Sequence, residues 1–331
     1  MRYLTGFSGS SGIALITRRQ KFFFTDSRYR LQAKSQVKGC QIRIVPGAPL
    51  EGCARYAVSR RLKLGVLGYE AGRVTHQQFL LLRRILKGVK LKDAGGSVEK
   101  LRLVKSRSEQ MNIRRACRIA DAALARLRRR RTIGTSEKET AWFLESEMRK
   151  AGSGRLPFEI IVASGPRSAM PHGAATKRII KEGELLVIDM GASVNGYCSD
   201  ITRTFATGPL PGRLDQIYQI VREAQQLALG RVVPGLPGSE PDRLARDHIK
   251  GAGYGREFGH SLGHGVGLEP HEGPSLAASS ADRLEAGMVV TVEPGIYLEG
   301  SGGVRIEDTV LVGSHGPVLL TSFPRRLIQL R

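Results

Sequence analysis

The stretch from Glu184 to Phe205, ELLVIDMGASVNGYCSDITRTF, places two carboxylates on one face of a hairpin. Its turn is Asn195-Gly196, because both central residues of a type I′ turn need positive φ and this dipeptide supplies them. Pairing outward from the turn sets Val194 opposite Tyr197 and Asp189 opposite Thr202. Asp200, two residues before Thr202, then shares the face of Asp189 and lies diagonal to it. Diagonal cross-strand partners are roughly 7–8 Å apart at Cα, close enough for both side chains to converge on one cation. Apolar neighbours (Leu185, Leu186, Val187, Ile188, Ile201, Phe205) make two unpaired carboxylates costly there, and a bound cation would offset that cost. Solvated surface acids on an edge hairpin are the plain alternative on this stretch alone.

The acids recur. Shifting the sequence by 101 residues aligns Gly134 with Gly235, Glu139 with Glu240, Ala151-Gly152 with Ala252-Gly253 and Gly154 with Gly255. For the strands the shift becomes 104: EGELLVIDMG (182–191) matches EAGMVVTVEPG (285–295) and Asp189 falls on Glu293. Further on, Glu307 is the counterpart of Asp200. The repeat predicts a duplicated helix-helix-strand unit, its halves related by a pseudo-twofold axis on which the four carboxylates meet. Nearby, the Gly-rich segment FGHSLGHGVGLEPHEGP adds His260, His264 and His271, and the loop motif SAMPHG adds His172. Glycines at 263, 265 and 267 argue for an extended strand closely approached by other backbone rather than a helix. Four carboxylates with one or two imidazoles suit a pair of first-row divalent ions, Mn²⁺ foremost, with Co²⁺, Zn²⁺ or Fe²⁺ also fitting. Two such ions about 3.5 Å apart can share a hydroxide and polarise the bond it attacks. The chemistry expected is hydrolysis.

Around this site the chain organises simply. Its 331 residues, 41% of them hydrophobic, suffice for two domains with sizeable cores. Residues 1–97 read as a small α/β unit: IALIT, KFFFT, QIRIV and KLGVLGY are strand-like, and a helix is expected over Thr75 to Leu86. Asp93 to Ser97 is the expected linker, and residues 98–331 form the catalytic domain. Val98 to Arg130 carries apolar residues at helical spacing (Ile113, Ala116, Cys117, Ala120, Leu124, Leu127), and Ser136 with Glu139 predicts a capping box at the next helix.

No apolar run approaches the roughly 20 residues of a membrane span, and MRYLTGFSGSSG lacks a signal-peptide pattern, so a cytoplasmic protein is expected. Four cysteines without CxxC spacing suit reduced thiols. Fifty-two Lys and Arg against 30 Asp and Glu give a formal net charge of +22. The basic residues are dispersed apart from RLRRRR (126–131) at a helix end, where cations also complement the helix dipole. Without a nucleic-acid motif or interleaved aromatics, specific nucleic-acid binding is not expected.

These motifs resemble the pita-bread metallopeptidases, and among them the Xaa-Pro peptidases, aminopeptidase P and prolidase. The resemblance covers nearly the whole chain: RYLTGFSGSSG and FFFTDSRYR are similar to the family's creatinase-like N-terminal domain, and DMGASVNGYCSD, GHSLGHGVGLEPHE, VEPGIY and GGVRIED to its catalytic domain. The implied fold class is α+β. A small α/β creatinase-like domain precedes a pita-bread catalytic domain with internal pseudo-twofold duplication.

By resemblance, Asp189 holds one metal, Asp200 and Glu307 bridge both, and His264 with Glu293 completes the second. A bridging hydroxide attacks the carbonyl before proline, with Glu293 also carrying its proton toward the leaving nitrogen. His271 hydrogen-bonds the oxyanion, and His172 and His260 line the substrate pocket. Arg305 orients ligands or reads the substrate carboxyl end, and Tyr297 lines the pocket or lies in an exposed loop. The family pairs through its N-terminal domains, so a homodimer acting on proline-containing peptides is implied. It also has a strand and helix before RYLTGF, so a shortened N-terminal domain with an exposed sheet edge is expected. A creatinase-like amidinohydrolase would have altered acid ligands, and methionine aminopeptidase normally lacks the N-terminal domain. The remaining alternative is a non-catalytic pita-bread module that binds protein or nucleic acid through its basic surface.

Overall fold

A computed structural model describes residues 1–60 and 62–331. It divides into two compact units, Met1–Lys100 and Leu101–Arg331. In the first, strands Ile13–Ile16, Lys21–Thr25 and Gln41–Ile44 form a sheet in that order, the first pair antiparallel and the second parallel. Alternation along KFFFT sends Phe22 and Phe24 to one side, against Cys53, Ala54 and Ala57 of helix Pro49–Ser59, and Phe23 to the other, against Phe7. The expected helix over Thr75 to Leu86 spans His76–Ile85, capped by Thr75, whose side chain accepts from Gln78 N.

The second unit is built twice. Helices Arg107–Leu127 and Glu137–Lys150 precede strand Leu185–Met190 and its antiparallel partner Ile201–Ala206; helices Gly212–Leu229 and Ser239–Gly251 precede strand Val289–Val292 and its antiparallel partner Asp308–Gly313. The duplication reaches backbone detail. Gly134 and Gly235 both take φ near +86° (86° and 87°), and Gly152 and Gly253 take 92° and 90°. Gly134 N donates to Ile180 O at 2.9 Å, as Gly235 N donates to Leu284 O at 2.8 Å. At such positive φ a side chain is strained, so the repeat keeps its turns by keeping these glycines.

One sequence expectation needs correction. The apolar periodicity from Val98 to Arg130 is not one helix: Ser97–Leu103 ends, and Arg107–Leu127 begins afresh at a capping box in which Ser106 and Glu109 satisfy each other's backbone N–H. Between them, Val104 bridges to Met288 and Lys105 N donates to Gly287 O at 2.9 Å. Ser-Arg-Ser-Glu (106–109) is itself the capping-box signature, and it outranks a continuing apolar period.

The two halves lock together through Arg203, a fully buried side chain. Its guanidinium donates to Thr202 O, Glu307 O, Phe323 O and Pro324 O, and pairs with Asp308 Oδ1 at 2.6 Å. A buried cation with so many partners fixes where the strand ends meet.

Candidate metal centre

The hairpin register is the one the Asn-Gly turn dictates: Asn195 and Gly196 have φ of 50° and 79°, Val194 pairs with Tyr197, and Asp189 pairs with Thr202. Asp189 and Asp200 therefore share a face. In the second half the register continues past Val292 opposite Asp308, setting Glu293 against Glu307. The sheets join at this point, where Glu307 N donates to Thr202 O at 3.1 Å and Thr309 Oγ1 donates to Asp200 O at 2.7 Å.

Six side chains converge. Asp189, Asp200 and Glu307 offer ligand atoms within 4.8 Å of one another, as do His264, Glu293 and Glu307, and also Asp200, His264 and His271. His264 Nε2 lies 3.2 Å from Glu293 Oε1 and 3.9 Å from Asp200 Oδ2. Its Nδ1 donates to Gly265 O at 3.1 Å, an arrangement that turns Nε2 toward the acids. Glycine makes this strand possible. A Cβ on Gly263 would collide with Thr291 O and one on Gly265 with Gly273 O, as expected of an extended segment under close backbone approach.

The electrostatics fit cations. Burial, then the neighbouring carboxylates Glu307, Asp189 and Glu293, pushes Asp200 well above the usual carboxylate range; burial, with Glu293 and Asp189, does the same to Glu307. Burial also raises Asp189, with Arg305 opposing it. Burial would raise Glu293 too, but its hydrogen bond with His264 brings it below normal. Among the described residues, Oδ1 of both Asp189 and Asp200 is buried without a hydrogen-bond partner. Crowded acids with orphaned oxygens are what divalent cations would neutralise and coordinate, so these residues fit the implied metals.

The remaining predicted residues surround this cluster. Arg305 is buried, and its guanidinium donates to Asp189 Oδ2 at 2.6 Å, Thr202 Oγ1 at 3.1 Å, Tyr297 Oη at 3.0 Å and Pro171 O at 3.1 Å. With its donors so employed, Arg305 fixes the Asp189 carboxylate; reading a substrate carboxylate would require it to abandon these partners. Tyr297 in turn donates to His260 Nε2 at 2.9 Å, while His260 Nδ1 donates to Ser261 O at 2.8 Å. Tyr297 is a half-buried strand residue in this chain of contacts, not a loop residue in solvent. His271 is exposed, with its ring 4.0 Å from that of His264. His172 is exposed next to Pro171.

Sequence reasoning missed the threonines. Thr202 Oγ1 donates to Glu307 Oε2 at 2.7 Å, Thr291 Oγ1 to Glu293 Oε1 at 3.2 Å, and Thr309 braces Asp200. The signal was present for two of them: Thr202 and Thr309 stand 107 residues apart, as Asp200 and Glu307 do.

Residues 111–314 match the model of metallopeptidase family M24, and residues 1–104 match the creatinase/prolidase N-terminal domain. The chain belongs to metallopeptidase family M24. Among M24 relatives, the uncharacterized peptidase YqhT of Bacillus subtilis is 44% identical over 328 residues, spanning 99% of this chain and 92% of its own. Solved M24-like structures superpose closely. An Xaa-Pro dipeptidase from Bacillus anthracis (44% identity, TM-score 0.95) covers 99% of this chain and 92% of its own, and an X-Pro aminopeptidase from Thermotoga maritima (38%, 0.92) covers 99% and 93%. The prolidase from Pyrococcus furiosus, at 36% identity and a TM-score of 0.89, covers 97% and 93%. The fold is thus the pita-bread metallopeptidase fold preceded by a creatinase-type domain. Among the described residues no helix is long and apolar enough to cross a membrane.

Proposed function

We propose that this chain hydrolyses the peptide bond between an N-terminal residue and proline, with two divalent cations held by Asp189, Asp200, His264, Glu293 and Glu307. The observation that carries this reading is the set of three overlapping ligand triads, linked pairwise through Asp200, His264 and Glu307, a pattern that suits adjacent cations. The solved relatives, an Xaa-Pro dipeptidase, an X-Pro aminopeptidase and a prolidase, support peptides with proline in second position.

Cations bound there would activate water at neutral pH and polarise the scissile carbonyl. The chain's own residues do the rest. Asp200 and Glu307 would serve both cations, and Thr202 holds Glu307 in place for this. Glu293, a carboxylate beside the cations it helps to hold, would accept the proton of the attacking water. It returns that proton to the proline nitrogen as the carbon–nitrogen bond breaks, so the hydroxyl stays on the carboxyl product and the hydrogen on the amine. His271 donates to the oxygen that gains charge as the carbonyl becomes tetrahedral. His172 and the Tyr297-held His260 form the wall against which proline sits.

The test is release of the N-terminal residue from an Xaa-Pro dipeptide and an Xaa-Pro-Yaa tripeptide, side by side, after reloading with Mn²⁺ or Co²⁺. Cleavage of the dipeptide alone marks a dipeptidase, and cleavage of the tripeptide an aminopeptidase. No cleavage of either by metal-loaded protein would overturn the proposal.

A further inference from the structure

His271 has a functional place but few restraints. It is exposed, no hydrogen bond among the described residues fixes its ring, and its close packing partner is the ring of His264. What fixes it must act through the backbone, and the next residue is anchored unusually well. The Glu272 side chain is 8% exposed and lies between two cations from the segment 102–105: Arg102 Nη2 pairs with its Oε2, and Lys105 Nζ, itself 1% exposed, lies 3.1 Å from its Oε1. Arg102 Nη1 also reaches Glu269 Oε1 at 3.6 Å, at the other end of the same loop, and Glu269 N donates to Glu272 Oε2 at 3.4 Å. Two cations and two carboxylates thus clamp the four-residue loop that presents His271. The packing is close enough that a Cβ on Gly267 would strike the Glu272 carboxylate, and one on Gly273 would lie 2.8 Å from Leu103 Cδ2.

A buried ion cluster is poor evidence for stability, since the desolvation cost of charges removed from water commonly matches their attraction; well-packed apolar residues would often serve as well. Such a cluster does fix geometry, because each partner has one satisfactory position. Its other end is also placed for this: the same segment bridges Val104 to Met288 and Lys105 N to Gly287 O, immediately before the strand that leads to Glu293. We infer that Arg102 and Lys105 are positioning residues that act through Glu272 to hold His271 against the metal centre. The clamp therefore sets the distance between His271 and the ligand-bearing strand.

This inference rests on the proposed role of His271, and its test separates the two. In metal-loaded enzyme assayed on an Xaa-Pro peptide, H271A is expected to keep its metal and lose kcat by about 10²–10³-fold, as for the loss of one oxyanion donor. E272Q, which preserves shape, is expected to lower kcat by about 10–100-fold with KM and metal content near wild type. The deciding comparison is the double variant: in the H271A background E272Q should change kcat by less than about twofold, because the group it positions is gone. Should E272Q fold poorly, R102M against R102K gives the same reading, with the charge-conserving R102K recovering most of the kcat that R102M loses. Additive losses in the double variant, or wild-type turnover of E272Q beside an impaired H271A, would overturn the positioning role alone. Wild-type turnover of H271A would remove both it and the oxyanion role.

Discussion

At the scale of single residues, Glu307 is the most informative position. It belongs to two of the three ligand triads, is 1% exposed, and is held through Thr202 from the opposite half of the repeat. Burial and its acidic neighbours raise its carboxyl well above normal, so it is a group whose charge is costly until a cation is present. E307A removes that costly charge along with the ligand. The variant is therefore expected to fold, to retain well under one metal equivalent per site pair, and to lose turnover by several orders of magnitude; metal analysis and peptide hydrolysis on the same sample check this. Wild-type metal content in E307A would show that the carboxylate is no ligand. The sequence made this residue legible because an acid recurring at a strand position of an internal repeat has no packing explanation. It did not make Arg305 legible in the same way. Four groups surround its guanidinium, and three of them (Asp189, Thr202 and the Pro171 carbonyl) lie more than 100 residues away, where neither spacing nor period gives notice of them.

At the scale of elements, local chemistry predicted most of what positions the site. Asn195-Gly196 dictates the hairpin register, and Ser136 with Glu139 starts its helix as a capping box. Long-range ties are different, and Glu137 is the clearest. This first-turn residue of the helix Glu137–Lys150 is buried, and it accepts from Ser164 N at 2.9 Å, Ser164 Oγ at 2.8 Å, Thr176 N at 3.0 Å and Thr176 Oγ1 at 2.6 Å, with Arg167 Nε at 3.2 Å. It thereby ties the helix to both ends of the loop that carries His172. Nothing in the sequence distinguishes it from the solvated Glu expected in a helical first turn. Burial alone would raise its pKa, but the hydrogen bonds from Thr176 and Ser164 outweigh burial and hold it below its ordinary 4.5. A depressed carboxyl contributes stability that is fully present above the unfolded-state value and is lost as pH falls through the folded-state value. Wild-type thermal stability should therefore fall on acidification below about pH 4.5 more steeply than that of E137Q. Near pH 7 the variant should be about 1–3 kcal/mol less stable, since an amide turns one donor toward donors. Parallel acid profiles for the two proteins would mean that another group titrates.

At the scale of the whole molecule, charge and duplication meet in one place. The densest basic run is engaged locally: in RLRRRR, Arg126 pairs with Glu147 at 2.9 Å and Arg130 lies over the Phe143 ring at 4.6 Å, both of them contacts to the adjoining helix. The acids do converge, and they come from both halves of the repeat, Asp189 and Asp200 from one, His264, Glu293 and Glu307 from the other. Without cations, the halves bring like charges together across their junction. With cations, the same groups join the halves, and binding that exists only in the folded state adds stability as RT ln(1 + [L]/Kd), about 2.7 kcal/mol at a hundredfold excess over Kd. For a unit of this size that corresponds to a melting shift of roughly 5–10 °C. Chelation should therefore lower the melting temperature, and Mn²⁺ or Co²⁺ should restore it. In E307A the same ions should shift the melt little, because one of the ligands shared by both positions is missing. An equal shift in E307A would place the stabilising ions elsewhere on the surface, and no shift in wild type would mean that the carboxylates of the two halves are held together by the fold alone.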